Sequence, residues 1–254
     1  MCNNVLDILI KEFVKKYPLR NRTKIKWKEP LIAYAKADDK MFLQLKEVVS
    51  ASHALPKDLM DDAATVIVYF IPFRKELVRT NAVEQSASKE WAEAYIDTNQ
   101  LISDLNNYIN KIIVKSGYKT SSIPATHNFD QESLLSDWSH RHIGFIAGLG
   151  KFGLNNMLIT EKGCCGRIGS IITNLHITPT ERKEGEYCLY KAKGVCKICI
   201  SKCVNQALQL DSYDRHLCYE MSLSNDRKYN GLGKTDVCGK CLIELPCSFT
   251  KPLK

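Results

Sequence analysis

No cysteine occurs between Asn3 and Gly163 of this 254-residue chain, yet ten of its eleven fall between Cys164 and Cys247. Glycine and proline are also sparse, at 13 and 8, which excludes collagen-like and low-complexity chains. No long hydrophobic run is present. The longest mostly apolar stretch, Ala63 to Phe73, contains Pro72 and reaches about half the length of a membrane span. The first ten residues, Met1 to Ile10, carry no basic segment ahead of an apolar one, so no secretory leader is expected. These absences point to a soluble protein of the reducing cytoplasm with no membrane partner. Disulfides seldom persist in that compartment, and a chain of this length can bury a core without them. Crowded cysteines there usually mean metal or redox chemistry.

What is present is ordinary for a globular protein, 44% hydrophobic and 25% charged. Val5 to Tyr17, Lys40 to Ser50, Ser88 to Val114 and Leu134 to Ala147 place apolar residues at helical spacing. Leu31 to Ala35, Thr65 to Ile71 and Ile168 to Leu175 read as strands, the second rich in β-branched residues and stopped by Pro72. Helices alternating with strands predict an α/β fold, a layered sheet, parallel or mixed, with flanking helices. The shift in cysteine content places a boundary in the polar run after Thr180. We therefore expect an α/β cofactor or substrate domain over 1–180 and a C-terminal two-[4Fe–4S] ferredoxin-like module over 181–254.

Two cysteine groups carry the second expectation. The first is Cys188-x7-Cys196-x2-Cys199-x3-Cys203; the second is Cys218, then Cys238-x2-Cys241-x5-Cys247. In two-cluster ferredoxins the fourth cysteine of a run ligates the other cluster, because the helix after the third ligand carries it across. That logic assigns Cys188, Cys196, Cys199 and Cys247 to one cluster and Cys203, Cys218, Cys238 and Cys241 to the other. Zinc competes for paired Cys-x2-Cys motifs, but leaves Cys203 and Cys247 unexplained. Against the ferredoxin pattern, Cys188 stands further from its neighbour, Val204 replaces the usual proline and the spacing to Cys247 is longer. The formal charge of +8 counts every cysteine as neutral; two clusters at about −2 each would bring it to about +4. The basic excess is thus weak support for a nucleic-acid partner. Cys2 is expected at an exposed terminus. Cys164 and Cys165 admit two readings, small residues in a turn or a thiol facing substrate.

Gly148, Gly150 and Gly153 form a Gly-x-Gly-x-x-Gly match. A dinucleotide fingerprint needs a strand before and a helix after; here a helix leads in and an extended segment follows. The glycines read either as a helix cap with a tight turn or as a loop whose backbone lies against a large ligand. Gly148, Leu149, Gly150, Gly153 and Asn155 are accordingly candidate cofactor contacts. His140 and His142 are candidate general acids, because histidine titrates near neutral pH; their rival reading is a polar face or an anion contact. Asp130, Asp137, Tyr69, Tyr95 and Tyr118 are further proton donors to weigh.

The stretch Ala147-Gly-Leu-Gly-Lys-Phe-Gly-Leu-Asn-Asn-Met-Leu-Ile-Thr, followed by the two cysteine groups, resembles the epoxyqueuosine reductase family. The corrinoid reductive dehalogenases are its more distant relatives. The resemblance implies an α/β cobalamin-binding domain joined to a two-cluster module that passes electrons to cobalamin, and thence to an epoxide in a modified tRNA base. Two departures stand out. The family's acidic proton donor falls where Thr120, Ser121, Ser122 and Pro124 stand here, and the chain ends at Lys254 without a helical-repeat domain. Three readings follow. The first is an iron–sulfur reductase, with cobalamin as a candidate cofactor, acting on a small molecule or modified nucleoside and fed by a ferredoxin- or flavodoxin-type donor. The second is an electron-transfer partner without chemistry of its own. The third is a tRNA epoxyqueuosine reductase, for which only the run from Lys15 to Lys28 offers a basic face.

Overall fold

The computed structural model describes residues 3–125 and 129–253; Cys2 lies outside them. Up to Thr173 the elements are α1 (Asn3–Asn21), β1 (Leu31–Lys36), α2 (Met41–Val48), α3 (Pro56–Leu59), β2 (Thr65–Pro72), α4 (Lys75–Thr80), α5 (Lys89–Lys115), β3 (Thr120–Ser122), α6 (His140–Ile146), β4 (Gly150–Phe152), β5 (Leu158–Thr160) and β6 (Gly166–Thr173). Beyond them come α7 (Leu189–Lys193), α8 (Ile198–Ser201), α9 (Arg215–Lys228) and two 3₁₀ turns.

The central sheet has the order β1-β2-β6-β3. All eight residues of β2 are buried, as a continuous apolar strand covered on both faces should be. Its alternation divides the interior in two. Ile67, Tyr69 and Ile71 pack with Leu6, Ile10 and Val14 of α1 and Leu101, Leu105 and Ile109 of α5. Val66, Val68 and Phe70 pack with Phe42 and Leu45 of α2 and Ile143 and Ile146 of α6. The expected layered α/β arrangement is therefore present. The first of these cores also takes in Tyr187, Cys188, Leu242 and Ile243 from the cysteine-rich segment.

The direction of the sheet differs from expectation. Every pairing in it is antiparallel, β1 with β2, β2 with β6 and β3 with β6. The connection from β2 through α5 to β3 does return the chain in the same direction, as a βαβ crossover would. However, β6 arrives later and inserts antiparallel between the two, which splits the unit. Helix α6 is also shorter than the spacing predicts. Leu134 adopts a left-handed φ of 54° and Asp130 Oδ1 accepts from Ser133 N at 2.7 Å, so residues 130–139 form a turn. The helix begins only after Ser139.

Candidate functional site

The cysteines are positioned by short, tightly turned elements. Cys188 precedes α7, which ends at Gly194 with a left-handed φ of 69°, and Cys196 is itself left-handed at 75°. Cys199 lies in α8, and Cys203 follows it by one short turn, its amide bonded to Ile200 O at 3.0 Å. Cys218 lies in α9, which Asp214 caps by accepting from His216 N and Leu217 N. Beyond Cys241, the buried Ser248 hydroxyl accepts from Leu245 N at 2.8 Å and donates to Leu242 O at 2.6 Å. Those bonds close the turn that presents Cys247.

The two sets expected from spacing collect on different cavities. Cys203, Cys218, Cys238 and Cys241 line a cavity of about 480 Å³, within the range that takes small ligands. Cys188, Cys196, Cys199 and Cys247 line a second, much smaller one. The electrostatics follow this division only in part, since Cys199 of the other set also acts on Cys241, and Cys247 is raised chiefly by its hydrogen bond with Cys164. Burial pushes the Cys199 thiol up to about 11, and Cys247, Cys188 and Cys196 act on it as neighbouring charges. Burial also pushes Cys238 up to about 11, with Cys218 and Cys203 as its charged neighbours. Among the described residues, no three His, Cys, Asp or Glu side chains group as a site for a single metal ion.

The large cavity lies where the sheet, the start of α5 and the cysteine loops meet. Phe73, Trp91, Tyr95 and Trp138 supply rings, and Arg167 of β6 supplies charge. The Arg167 guanidinium stands 4.5 Å from the Tyr95 ring centre and donates to Asn99 Oδ1 at 2.6 Å. Tyr95 donates to Asp236 Oδ1 at 2.8 Å. Of the other tyrosines weighed as donors, Tyr69 is wholly buried and donates to Asn106 Oδ1 at 2.6 Å, while Tyr118 is exposed. The Trp91 Nε1 atom is buried without a hydrogen-bond partner, a condition that costs roughly 1–3 kcal/mol when nothing fills it.

His140 borders this cavity with both ring nitrogens engaged. Nε2 lies 2.9 Å from Pro124 O and Nδ1 lies 3.1 Å from Ser170 Oγ, which also accepts from Trp138 Nε1 at 3.0 Å. A carbonyl can only accept, so the proton sits on Nε2 and the serine hydroxyl donates to Nδ1. Burial holds its pKa down to about 4, with the Arg167 charge adding to the effect, and at neutral pH the ring is uncharged. His142 Nδ1 pairs with Ser139 Oγ at 2.8 Å and its ring lies against Phe152. Burial likewise lowers it to about 4. It does not line the large cavity. Asp130 is occupied by Ser133, whose hydrogen bonds hold its carboxyl low, and Asp137 accepts from Ser52.

The glycine loop follows α6 and forms the β4–β5 hairpin, so the helix-first order excludes the dinucleotide arrangement. Gly148 ends the helix at φ 79°, and Leu149 is buried in the second core. At Gly150 a side chain would come within 2.2 Å of Ile159 O, and at Gly153 within 2.7 Å of Asn155 Oδ1. The faces freed by these glycines thus meet the chain itself. Asn155 borders both cavities and donates from Nδ2 to Cys241 O at 2.9 Å, tying the hairpin to the cysteine loop. Cys164 and Cys165 are both buried. Their amides bond to Cys247 O and Ser248 O at 3.0 and 3.1 Å, and Cys164 faces the large cavity.

Sequence reasoning missed His53, a fully buried residue whose Nε2 accepts from Ser139 N at 3.0 Å and whose ring stacks on Trp138. It also missed Arg167, Asp236 and Trp91. None of these lies in a motif, and their importance comes from contacts made across the fold.

Comparison with solved structures settles the architecture. An epoxyqueuosine reductase from Streptococcus thermophilus superposes with a TM-score of 0.54 at 17% identity, over 96% of this chain and 68% of that one. The fold is that of the epoxyqueuosine reductases. A second such enzyme, from Bacillus subtilis, gives 0.53 at 17% identity over 95% and 66%, so this chain spans about two thirds of their length. A catabolic reductive dehalogenase gives 0.59 at 14% identity, over 88% of this chain and 30% of that one, so it shares the fold as well. No protein-family model and no curated protein sequence matches the chain. No helix among the described residues is long and apolar enough to cross a membrane.

Proposed function

We propose that this chain is an iron–sulfur reductase. In this reading Cys188, Cys196, Cys199 and Cys247 hold one [4Fe–4S] cluster, and Cys203, Cys218, Cys238 and Cys241 hold a second that borders the substrate cavity. The carrying observation is that eight cysteines interleaved in sequence separate in space into two sets of four, each on its own cavity. An all-thiol donor set suits iron–sulfur cubes, and the orphaned N–H of Trp91 beside the second set suits an acceptor that the polypeptide does not itself provide. When bound, such clusters supply electrons one at a time.

The residues around the large cavity do the remaining work. Its aromatic walls exclude water from a planar or apolar substrate, and Arg167 places a fixed cation where negative charge would develop on reduction. The hydrogen bonds that pin His140 make it a positioning residue for the Pro124 carbonyl and the start of α6. The hydrogen-bonded Tyr95–Asp236 pair lines this cavity and is a candidate proton relay. The fit to cobalamin is poorer. The glycines expected to cradle it face the chain's own backbone and Asn155, and both nitrogens of His140 are engaged, so no step is routed through a corrinoid. Glu12, just ahead of the basic run, pairs with Lys15 and Lys16 and offsets one charge at its start.

The proposal is tested by changing one cysteine from each set to serine under anaerobic reconstitution. Cys199→Ser and Cys241→Ser should each disturb one cluster and leave the other's electron paramagnetic resonance signal intact. Loss of both signals in either variant, or of neither in both, contradicts the assignment.

A further inference from the structure

The start of α5 and the loop from Cys238 to Cys241 are locked together. Asn81, fully buried, donates from Nδ2 to Cys238 O at 2.9 Å and accepts at Oδ1 from Ser88 N at 2.9 Å. Its own carbonyl accepts from Lys240 Nζ at 2.5 Å. On the other side the buried Asn225 of α9 accepts from Ala87 N at 2.9 Å and donates to Val237 O at 2.8 Å. Ser88 then caps α5 by accepting from Trp91 N at 3.1 Å. Two asparagines and a helix cap thus fix the cysteine loop against the first turn of a 27-residue helix, whose positive end faces it.

Trp91 stands in that first turn, 3% exposed. Phe73 meets its ring edge-on with centroids 5.2 Å apart, and Gly239 lies against its pyrrole side, where any side chain would come within 2.7 Å of Nε1. Glycine at that position lets the loop between two cysteines close onto the indole. Trp91 and its neighbours Cys238, Gly239 and Cys241 line the same cavity. Among the described residues, Trp91 Nε1 is one of only two buried side-chain polar atoms without a partner. An indole N–H is a donor only, so what it lacks is an acceptor.

Resting on the iron–sulfur reading, we propose that Trp91 donates its indole N–H to a sulfur of the cluster held by Cys203, Cys218, Cys238 and Cys241, and thereby raises that cluster's reduction potential. Hydrogen bonds to cluster sulfurs stabilise the more negatively charged, reduced state. The bond makes the cluster bordering the substrate cavity easier to reduce than it would be without Trp91, which helps hold an electron next to the acceptor.

The test uses the anaerobically reconstituted full chain with and without Trp91→Phe. Cys218→Ser first assigns which of two midpoint potentials belongs to this cluster. Trp91→Phe should keep the iron content and move that potential alone to more negative values, by about a tenfold change in the reduction equilibrium, about 59 mV for one electron. Wild-type protein labelled with ¹⁵N in its tryptophans should show a ¹⁵N hyperfine coupling on the reduced cluster that Trp91→Phe removes; this measurement on the native chain stands even if the variant folds poorly. Full iron with unmoved potentials and no ¹⁵N coupling overturns the proposal and leaves the cluster reading standing. Absence of iron overturns both.

Discussion

The sheet region and the cysteine-rich region are built on different physics. Up to Thr173, burial on both faces of β2 supplies the cohesion, through two cores rich in Ile, Leu, Val and aromatic side chains. Among the described residues, the cysteine-rich segment's separate buried cluster is Cys199, Leu208 and Leu245, with Leu154, Ile200 and three further cysteines packed around it. Its loop from Val237 to Cys241 is instead held by polar clamps from Asn81, Asn155 and Asn225. The first region is held mainly by hydrophobic burial, to which Tyr187, Cys188, Leu242 and Ile243 of the second contribute; on the proposed reading, the second uses as structure the groups that would bind iron. Metal binding and folding are coupled in sites of this kind.

Stripping iron anaerobically with a chelator should break that comparison most sharply. Amide protection in residues 188–247 should fall by orders of magnitude while β2 and α5 stay protected in hydrogen exchange. Equal loss in both regions would mean that they form one cooperative unit. The converse change is Ile67→Ala in β2, which removes a fully buried side chain. It should cost about 2–5 kcal/mol in denaturant unfolding while leaving the iron bound per folded chain unchanged.

A smaller effect comes from His140, at the join of the two regions. Its folded pKa of about 4 lies below the ordinary value of 6.5, so the unfolded chain binds the extra proton first. Its contribution is complete above pH 6.5 and is lost as pH falls towards 4, by about 3 kcal/mol at most. His140→Gln should flatten the stability profile in that window, and an unchanged slope would assign the pH dependence to other groups.

How far the sequence discloses this molecule depends on the range of the interactions concerned. The run Thr65–Pro72 is legible because β-branched residues buried on both faces have a local signature. The division of the eight cysteines between two cavities could be anticipated because their spacing is a local feature of the sequence. Sheet direction is not, because it depends on β6 pairing Thr173 with Thr65 across more than a hundred residues. Helix α6 is over-read because Leu134 leaves helical space while the apolar pattern continues. Trp91, His53, Asn81 and Asn225 escape notice for the same reason as the sheet, since each acquires meaning from a partner distant in sequence. The glycines of 148–153 were visible, but whether their open faces meet a ligand or the chain itself is decided only by the β4–β5 hairpin.

The most direct test of the central claim is the iron and acid-labile sulfide content of the chain purified without oxygen, read together with its absorption and paramagnetic resonance spectra. Two four-iron clusters predict about eight irons and about eight sulfides per chain, with two reducible centres. Zinc at those cysteines, or a full complement of free thiols that takes up no iron on reconstitution, would contradict it.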